Sequence, residues 1–292
     1  MTGVLVTGGT GRTGSALVEL LRGSGVLVRV ASRHPSATDP DAVRFDWADP
    51  ATHPAALRGV DRVFLVPPVE SVDPLPLVDP FLAEARRLGV RRVVLLGSAI
   101  VLPNAPSALE MAARVRAQPG WVVLRASGFM QNFLRPHPVG ERIRRDGEIR
   151  TAAGAGRVGW IDARDIAAAA AALLADPGAA PGDQRDYLLT GPKALSYQDA
   201  AATITAHTGR PVRVVPIGVD EQAAHYRAAG ASAEFAAAIA AVEDGIRAGR
   251  EDRVSTAVLD LTGRPPRTFA EFVQEHATEW AEDDLPERGS AR

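Results

Sequence analysis

Three glycines spaced three apart, Gly8, Gly11 and Gly14, form the pattern in this chain with the plainest chemical purpose. They lie in Thr7-Gly-Gly-Thr-Gly-Arg-Thr-Gly14, between the apolar run Val4-Leu-Val6 and a segment whose periodicity predicts a helix from about Arg12 to Arg22, with Ala16, Leu17, Leu20 and Leu21 on one face. A sharp turn off a strand, the approach of a pyrophosphate to the backbone and close packing of helix on strand each call for a residue without a Cβ. The helix N-terminus then faces the phosphates, so Gly8, Thr10, Gly11, Arg12 and Thr13 are candidate phosphate-holding residues. A ligand-free corner can carry the same glycines. Here a second apolar strand, Val26 to Ala31, completes the strand–helix–strand unit that a nucleotide turn requires.

The end of that second strand bears on which nucleotide. An NAD site places an acidic residue about twenty positions past the glycines, to take the ribose hydroxyls. This chain has Ala31-Ser-Arg-His34 there and no carboxylate before Asp39. Arg33 offers a planar fork of donors and Ser32 a hydroxyl, a pair suited to a 2′-phosphate, so the expected cofactor is NADP.

Strand and helix signals keep alternating beyond this unit. Strands are predicted at Val43–Trp47, Asp61–Val66, Arg92–Ser98 and Trp121–Arg125, and helices at about Thr52–Arg58, Pro76–Leu88 and Ser107–Gln118. Leu77, Phe81, Ala85 and Leu88 form the stripe of the second of these helices. Such alternation makes an α/β fold with a doubly wound parallel sheet of Rossmann type, whose ligands lie past the carboxyl ends of the strands. That crevice would gather Asp46 and Trp47 for the adenine, Val66, Pro67 and Pro68 as a wall, Gly97 and Ser98, and Ser127 to Phe129. Asp46 and Trp47 read equally well as a helix cap and a core aromatic.

Further along, Asp165 reads as the cap of an alanine-rich helix running to Asp176. Strands are predicted at Tyr187–Gly191 and Val212–Ile217. Ser196 to Asp199 and Thr268 to Glu271 have capping-box spacing. Two helices are expected between Val219 and Arg250, broken near Gly230, with Phe235, Ile239, Val242 and Ile246 down one side of the second. Glu282 to Arg292 reads as a polar tail.

Composition removes several function classes. The chain has 292 residues, 46% of them hydrophobic, with a net charge of −2 and no cysteine. Thiolate nucleophiles and iron–sulfur clusters are excluded, and no basic stripe suggests nucleic acid. The six histidines show no ligand spacing, so no metal is expected. No Gly-x-Ser-x-Gly elbow and no apolar run approaching twenty residues occurs. A cytoplasmic protein acting on a small molecule, with neither a nucleic-acid nor a membrane partner, is the resulting expectation; the oligomeric state stays open, a monomer included.

The glycine turn, the Ser32-Arg33 pair, Leu124-Arg-Ala-Ser-Gly-Phe-Met-Gln-Asn-Phe133, Trp160-Ile-Asp-Ala-Arg-Asp165-Ile-Ala and Leu261-Thr-Gly-Arg-Pro-Pro-Arg-Thr-Phe269 together resemble the NmrA-like branch of the atypical short-chain dehydrogenase/reductases, over nearly the whole chain. That branch includes quinone and imine reductases, antibiotic-tailoring ketoreductases such as the simocyclinone type, and regulators that bind NADP without turning it over. The resemblance implies a nucleotide-binding core at 1–128 and a smaller substrate lobe at 129–292, with segments returning to the core. Within it Phe129, Met130 and Phe133 would line the nicotinamide and substrate, and His225 and Tyr226 belong to a lobe that often covers the substrate, although packing is the commoner role for such residues. Ser98 matches the position of the family's catalytic serine, where it would hold the substrate oxygen or simply cap local backbone.

Conventional members add a tyrosine with a lysine four residues on, which lowers the tyrosine pKa for proton donation. This chain cannot build that pair. Its single lysine is Lys193, and Tyr187, Tyr197 and Tyr226 have no lysine at that spacing. The expectation is therefore an NADPH-dependent reductase of a small apolar carbonyl, foremost an aromatic-polyketide ketoreductase in antibiotic biosynthesis assisted by its own substrate. Quinone or imine reduction and a non-catalytic NADP sensor are the alternatives.

Overall fold

In the structure, a computed structural model describing residues 3–68, 73–100, 107–175 and 185–280, seven strands form one parallel sheet. In chain order these are β1 (Gly3–Val6), β2 (Val28–Ser32), β3 (Ala42–Arg44), β4 (Val60–Leu65), β5 (Arg92–Ser98) and β6 (Val122–Ala126), joined after a long excursion by a late strand, Arg185–Leu189. The spatial order is β3-β2-β1-β4-β5-β6 and then the late strand, so the order reverses between β1 and β4. A crevice must open there, because successive connections leave toward opposite faces.

Both faces of the sheet are covered, which is why its central strands read as unbroken apolar runs. On one side α1 (Arg12–Gly23) packs with Leu17, Val18 and Leu21 inward. On the other lie α2 (His53–Ala56), α3 (Leu75–Arg87) and α4 (Ser107–Arg116), which bury Ala56, Phe81, Leu82 and Val115 against Val63, Leu65 and Val93. Two stripes sit differently from the sequence reading. Leu20 is 43% exposed, with Val18 inside in its place. In α3 the buried face is Leu75, Val78, Phe81, Leu82 and Ala85, and Leu88 is exposed because Arg87 ends the helix. Strand β3 stops at Arg44, so Asp46 and Trp47 belong to the turn that follows.

After β6 the chain leaves the sheet. The 3-10 turn Met130–Phe133, α5 (Pro138–Asp146), β7 (Glu148–Thr151) and β8 (Arg157–Val158) come first. Helix α6 (Ala163–Ala175) then returns to pack on α1, and β9 (Arg185–Leu189) is the late strand at the sheet edge. The remaining elements are β10 (Leu195–Ser196), α7 (Tyr197–Thr208), β11 (Arg213–Pro216), α8 (Val219–Ala228), α9 (Ala233–Arg247), α10 (Ala257–Thr262) and α11 (Phe269–Glu275). A third core cluster joins Met130, Phe133, Trp160, Tyr197, Phe269 and Trp280, outside the sheet layers. Both capping boxes form, at Ser196–Asp199 and at Thr268–Glu271. Helix α5, β7, β8, β10 and α10 were not foreseen: each is short, and the pairs β7–β11 and β8–β10 bring together residues far apart in sequence. Asp176 and the polar segment from Glu282 to Arg292 lie outside the described residues.

Helix α6 ties the two regions together through charge. At its C-terminus the buried Arg62 donates to the carbonyls of Leu174 and Ala175, and the buried Arg92 to that of Leu173 at 2.9 Å, so two strand arginines satisfy orphan carbonyls at the negative end of the helix dipole. At its N-terminus the cap is Asp162, not Asp165. The Asp162 carboxylate accepts the Arg164 N–H at 2.9 Å and pairs with the Arg164 and Arg267 guanidiniums, both of which reach Glu275. These cations hold the Glu275 pKa down at about 2.

Asp165 sits within the first turn of the helix, accepting the Arg267 N–H at 2.8 Å. Burial pushes its pKa up from 3.8 to about 6, reinforced by Asp162 and opposed by Arg267 and Arg164. An acid whose pKa rises on folding costs stability as it ionises, between its unfolded value and its folded one. Asp165→Asn keeps the acceptor for Arg267 but cannot ionise. In thermal unfolding the variant is expected to match the wild type near pH 4 and to exceed it above pH 6, by up to about 3 kcal/mol. A gap that does not change with pH contradicts this assignment.

Candidate cofactor and active site

The glycine turn is shaped by three different contacts. Gly8 has φ +63° with the Val66 side chain against it. A Cβ on Gly14 would overlap the Gly8 carbonyl, so α1 lies directly on the turn. Gly11 is open except for the Gly8 oxygen at 3.2 Å, which leaves the approach side clear. Gly9, which the spacing argument passed over, is also constrained, though less than Gly14: its Cβ would stand 2.7 Å from Val30 Cγ1 and 3.2 Å from the Val6 carbonyl oxygen. The signal was the Gly8-Gly9 doublet. Thr7 braces the turn by accepting the Val66 N–H at 2.7 Å and donating to the Phe64 carbonyl at 3.1 Å.

Helix α1 begins without a side-chain cap and without an acidic residue in its first turn. The N–H groups of Arg12, Thr13 and Gly14 therefore point outward from an uncompensated positive helix end, beside a glycine with room for an anion. The residues present fit a pyrophosphate. The Arg12 side chain goes elsewhere, to the carbonyls of Gln131 and Arg135.

At the next strand end Ser32 Oγ accepts the His34 N–H at 3.1 Å and keeps its own proton to donate. Arg33 is exposed, with no protein partner among the described residues. This is the pair that a 2′-phosphate would need. Asp46 is held through its backbone: its N–H donates to Thr52 Oγ1 at 3.1 Å, and its carbonyl lies 3.2 Å from His53 Nε2. One carboxylate oxygen accepts the Ala48 N–H, leaving the other free for an adenine amine. Trp47 packs edge-on against Phe45 and Phe81, so it is a half-buried layer beneath that turn.

Val66, Pro67 and Pro68 leave β4 half-buried, with the Val66 side chain against the turn at Gly8. Next to them Ser98, past Gly97, donates to the Ile100 carbonyl at 2.7 Å and accepts the Ile100 N–H at 3.1 Å. Its hydroxyl proton is committed to local backbone. Ser127 is buried beside β9, and Phe129, half-buried, bridges to Ile161. Gly128 lets the Trp160 indole pack against the backbone, where a Cβ would collide with the ring.

The residues expected to form the substrate wall divide. Phe133 is fully buried, edge-on to Trp160 and Phe269 with centroids 5.0 and 4.9 Å away, and presents no face to a ligand. Met130 is also buried, but lines a cavity of ≈ 200 Å³ with Trp160, Lys193, Leu195 and Phe269. His225 faces Glu221 on its own helix at 3.9 Å. Burial beside Glu243 raises the Tyr226 pKa, so Tyr226 stays a neutral phenol. No hydrogen bond, ion pair or ring contact among the described residues joins either to the crevice turns.

Glu243 was missed, and it organises that corner. Buried on α9, it accepts from Gln222 of α8 at 2.6 Å, from Thr151 Oγ1 at 2.9 Å and from the Ala152 N–H, locking both helices to β7. Its pKa rises through burial. The signal was its place on the same helical face as the buried Ala236, Ala240 and Ile246. Among the described residues no cluster of His, Asp or Glu could hold a metal ion, and no helix is long and apolar enough to cross a membrane.

The NAD(P)H-binding family matches residues 8–177, from the glycine turn through α6. The chain belongs to this family. It is 42% identical over 279 residues to an uncharacterized oxidoreductase of Bacillus subtilis, YesF, covering 95% of the chain and 96% of that protein. It is 36% identical over 290 residues to the NAD(P)H azoreductase of Xenophilus azovorans, covering 94% and 98%. The Escherichia coli NADPH-dependent quinone oxidoreductase QOR2 complexed with NADPH shares the fold, with a TM-score of 0.79 at 23% identity over 93% of this chain and 99% of that one. The protein is an NAD(P)H-dependent oxidoreductase.

The packing glycine and the open glycine of the turn separate by experiment. Gly14→Ala is expected to unfold the turn or to lower the melting temperature by several degrees, because the new methyl meets backbone that cannot move aside. Gly11→Val is expected to keep the melting temperature and abolish NADPH binding in fluorescence titration. NADPH binding unchanged in Gly11→Val would mean that the turn is only a corner.

Proposed function

We propose that this reductase uses NADPH to reduce a planar, conjugated, largely apolar acceptor, a quinone or an aryl imine, without an acid from the protein. The carrying observation is at the end of β5. Ser98, the one hydroxyl that sequence assigns to the reacting oxygen, spends its proton on the Ile100 carbonyl. The tyrosines are on β9, α7 and α8, and the single lysine follows β9. An isolated ketone reduced by hydride leaves an alkoxide that needs a donor at once. A quinone instead yields a phenolate, whose conjugate acid titrates near 10 and which bulk water can protonate. An aryl imine that has already taken a proton from water, as the iminium, becomes a neutral amine on hydride transfer and needs no further proton.

When bound, the nicotinamide supplies the hydride. The chain's part is to hold the pyrophosphate on the α1 N–H groups, the 2′-phosphate on Ser32 and Arg33, and the ring region against Phe129 and the Val66–Pro68 wall. The azoreductase name of one relative agrees with a conjugated nitrogen acceptor. The polyketide ketoreductase reading requires a phenol on the substrate beside its carbonyl, and no residue of the site speaks for it separately. Residues 1–128 serve in this reading as the nucleotide core and 129–292 as the lobe that shapes the acceptor site.

Turnover of NADPH, followed by loss of its absorbance, is expected with 1,4-naphthoquinone and with a cyclic aryl imine, and to fall steeply with an isolated ketone. Arg33→Ala should weaken NADPH by about 1.5–3 kcal/mol and leave NADH unchanged. Reduction confined to aromatic ketones with a free neighbouring phenol, and lost on its methylation, would restore the ketoreductase reading.

A further inference from the structure

We infer that Arg12 is a positioning residue for the acceptor site, coupling the cofactor turn to the segment that lines the substrate, and that its side chain is not a phosphate ligand. Arg12 is the first residue of α1, so its backbone N–H faces the pyrophosphate position. Its guanidinium reaches away across more than a hundred residues of sequence: Nη1 donates to the Gln131 carbonyl at 3.1 Å and Nη2 to the Arg135 carbonyl at 2.9 Å. These carbonyls lie within and just past the 3-10 turn Met130–Phe133, directly after Phe129.

The far side of the turn is fixed independently. Gln131 Nε2 donates to Asp162 Oδ1 at 2.9 Å, and its Oε1 accepts the Ala163 N–H at 3.1 Å. One residue thus has its carbonyl bound to the cofactor helix and its side chain bound to the cap of α6. His137, which closes the segment, caps α5 by accepting the Val139 N–H at 3.2 Å and bonds the Asn132 carbonyl through its ring. Burial and the Arg12 charge hold its pKa down at about 4, so the imidazole is neutral and does not repel the guanidinium. The segment from 129 to 137 therefore spans two anchors, and Arg12 is the one that moves with the pyrophosphate turn. A charged fork on two carbonyls is directional, and a lysine would reproduce only one of its bonds.

The inference rests on the crevice reading of the cofactor site, but two of its readouts need no acceptor. Arg12→Met removes the donors and keeps an apolar stem, and Arg12→Lys keeps the charge. In Arg12→Met, NADPH affinity is expected to stay within about threefold, while amide hydrogen exchange of residues 129–137 in the NADPH-loaded protein accelerates by about tenfold or more. With 1,4-naphthoquinone as probe, KM is expected to rise about tenfold with kcat nearly unchanged, and Arg12→Lys to fall between the two. NADPH affinity lowered more than about tenfold with unchanged exchange would make Arg12 a phosphate ligand and overturn the inference, as would wild-type values in both substitutions. If the wild type fails to turn over naphthoquinone, the acceptor reading fails, and the affinity and exchange measurements still decide the role of Arg12.

Discussion

The contact on which the rest depends is between Gly14 and the carbonyl of Gly8. Because no side chain separates them, the first turn of α1 lies on the strand-to-helix corner, with its N–H groups aimed out of the sheet edge where the strand order reverses. An ordinary helix would cap that end, as Ser196 and Thr268 do for α7 and α11. Here the cap is absent and the orphan donors are kept for a ligand, at a cost in the unliganded protein that an anion offsets.

The second organising element is α6. Its C-terminal carbonyls are held by arginines rooted in β4 and β5, and its N-terminal Asp162 gathers Gln131, Arg164 and Arg267. One helix thus carries a polar network from the amino ends of the central strands to the far side of the crevice. Buried charges of this kind are stable only when every partner is present, so they fix geometry more than they add net stability. The segment from Gln131 to Arg135 hangs between this network and Arg12.

How much of this was legible depends on range. The βαβ unit, the β5 strand and both capping boxes follow from local pattern, since turn chemistry and apolar runs act within a few residues. The helix faces were misread by one or two positions where Leu20 and Leu77 look as apolar as Val18 and Val78; only packing on the sheet chooses between them. Asp165 looked like the cap of α6 because it opens the apolar run, but the helix starts earlier, at Ala163. Phe133 looked like a substrate wall because it lies close after a strand end, yet it faces Trp160 and Phe269, which arrive from other parts of the chain. Glu243 was hidden for the opposite reason: a carboxylate on an alanine-rich helix reads as surface until Gln222 and Thr151 are brought to it.

Ser98 is turned to its own backbone, and the proposed chemistry, hydride to a flat acceptor with the proton left to water, hangs on that one contact. The most direct measurement is single-turnover oxidation of NADPH deuterated at C4, with 1,4-naphthoquinone, in H2O and in D2O. The account predicts a primary isotope effect from the cofactor and a solvent isotope effect close to one, because the proton arrives after hydride transfer. A large solvent isotope effect on the same step would mean that a protein group delivers a proton in the transition state, and would contradict the proposal.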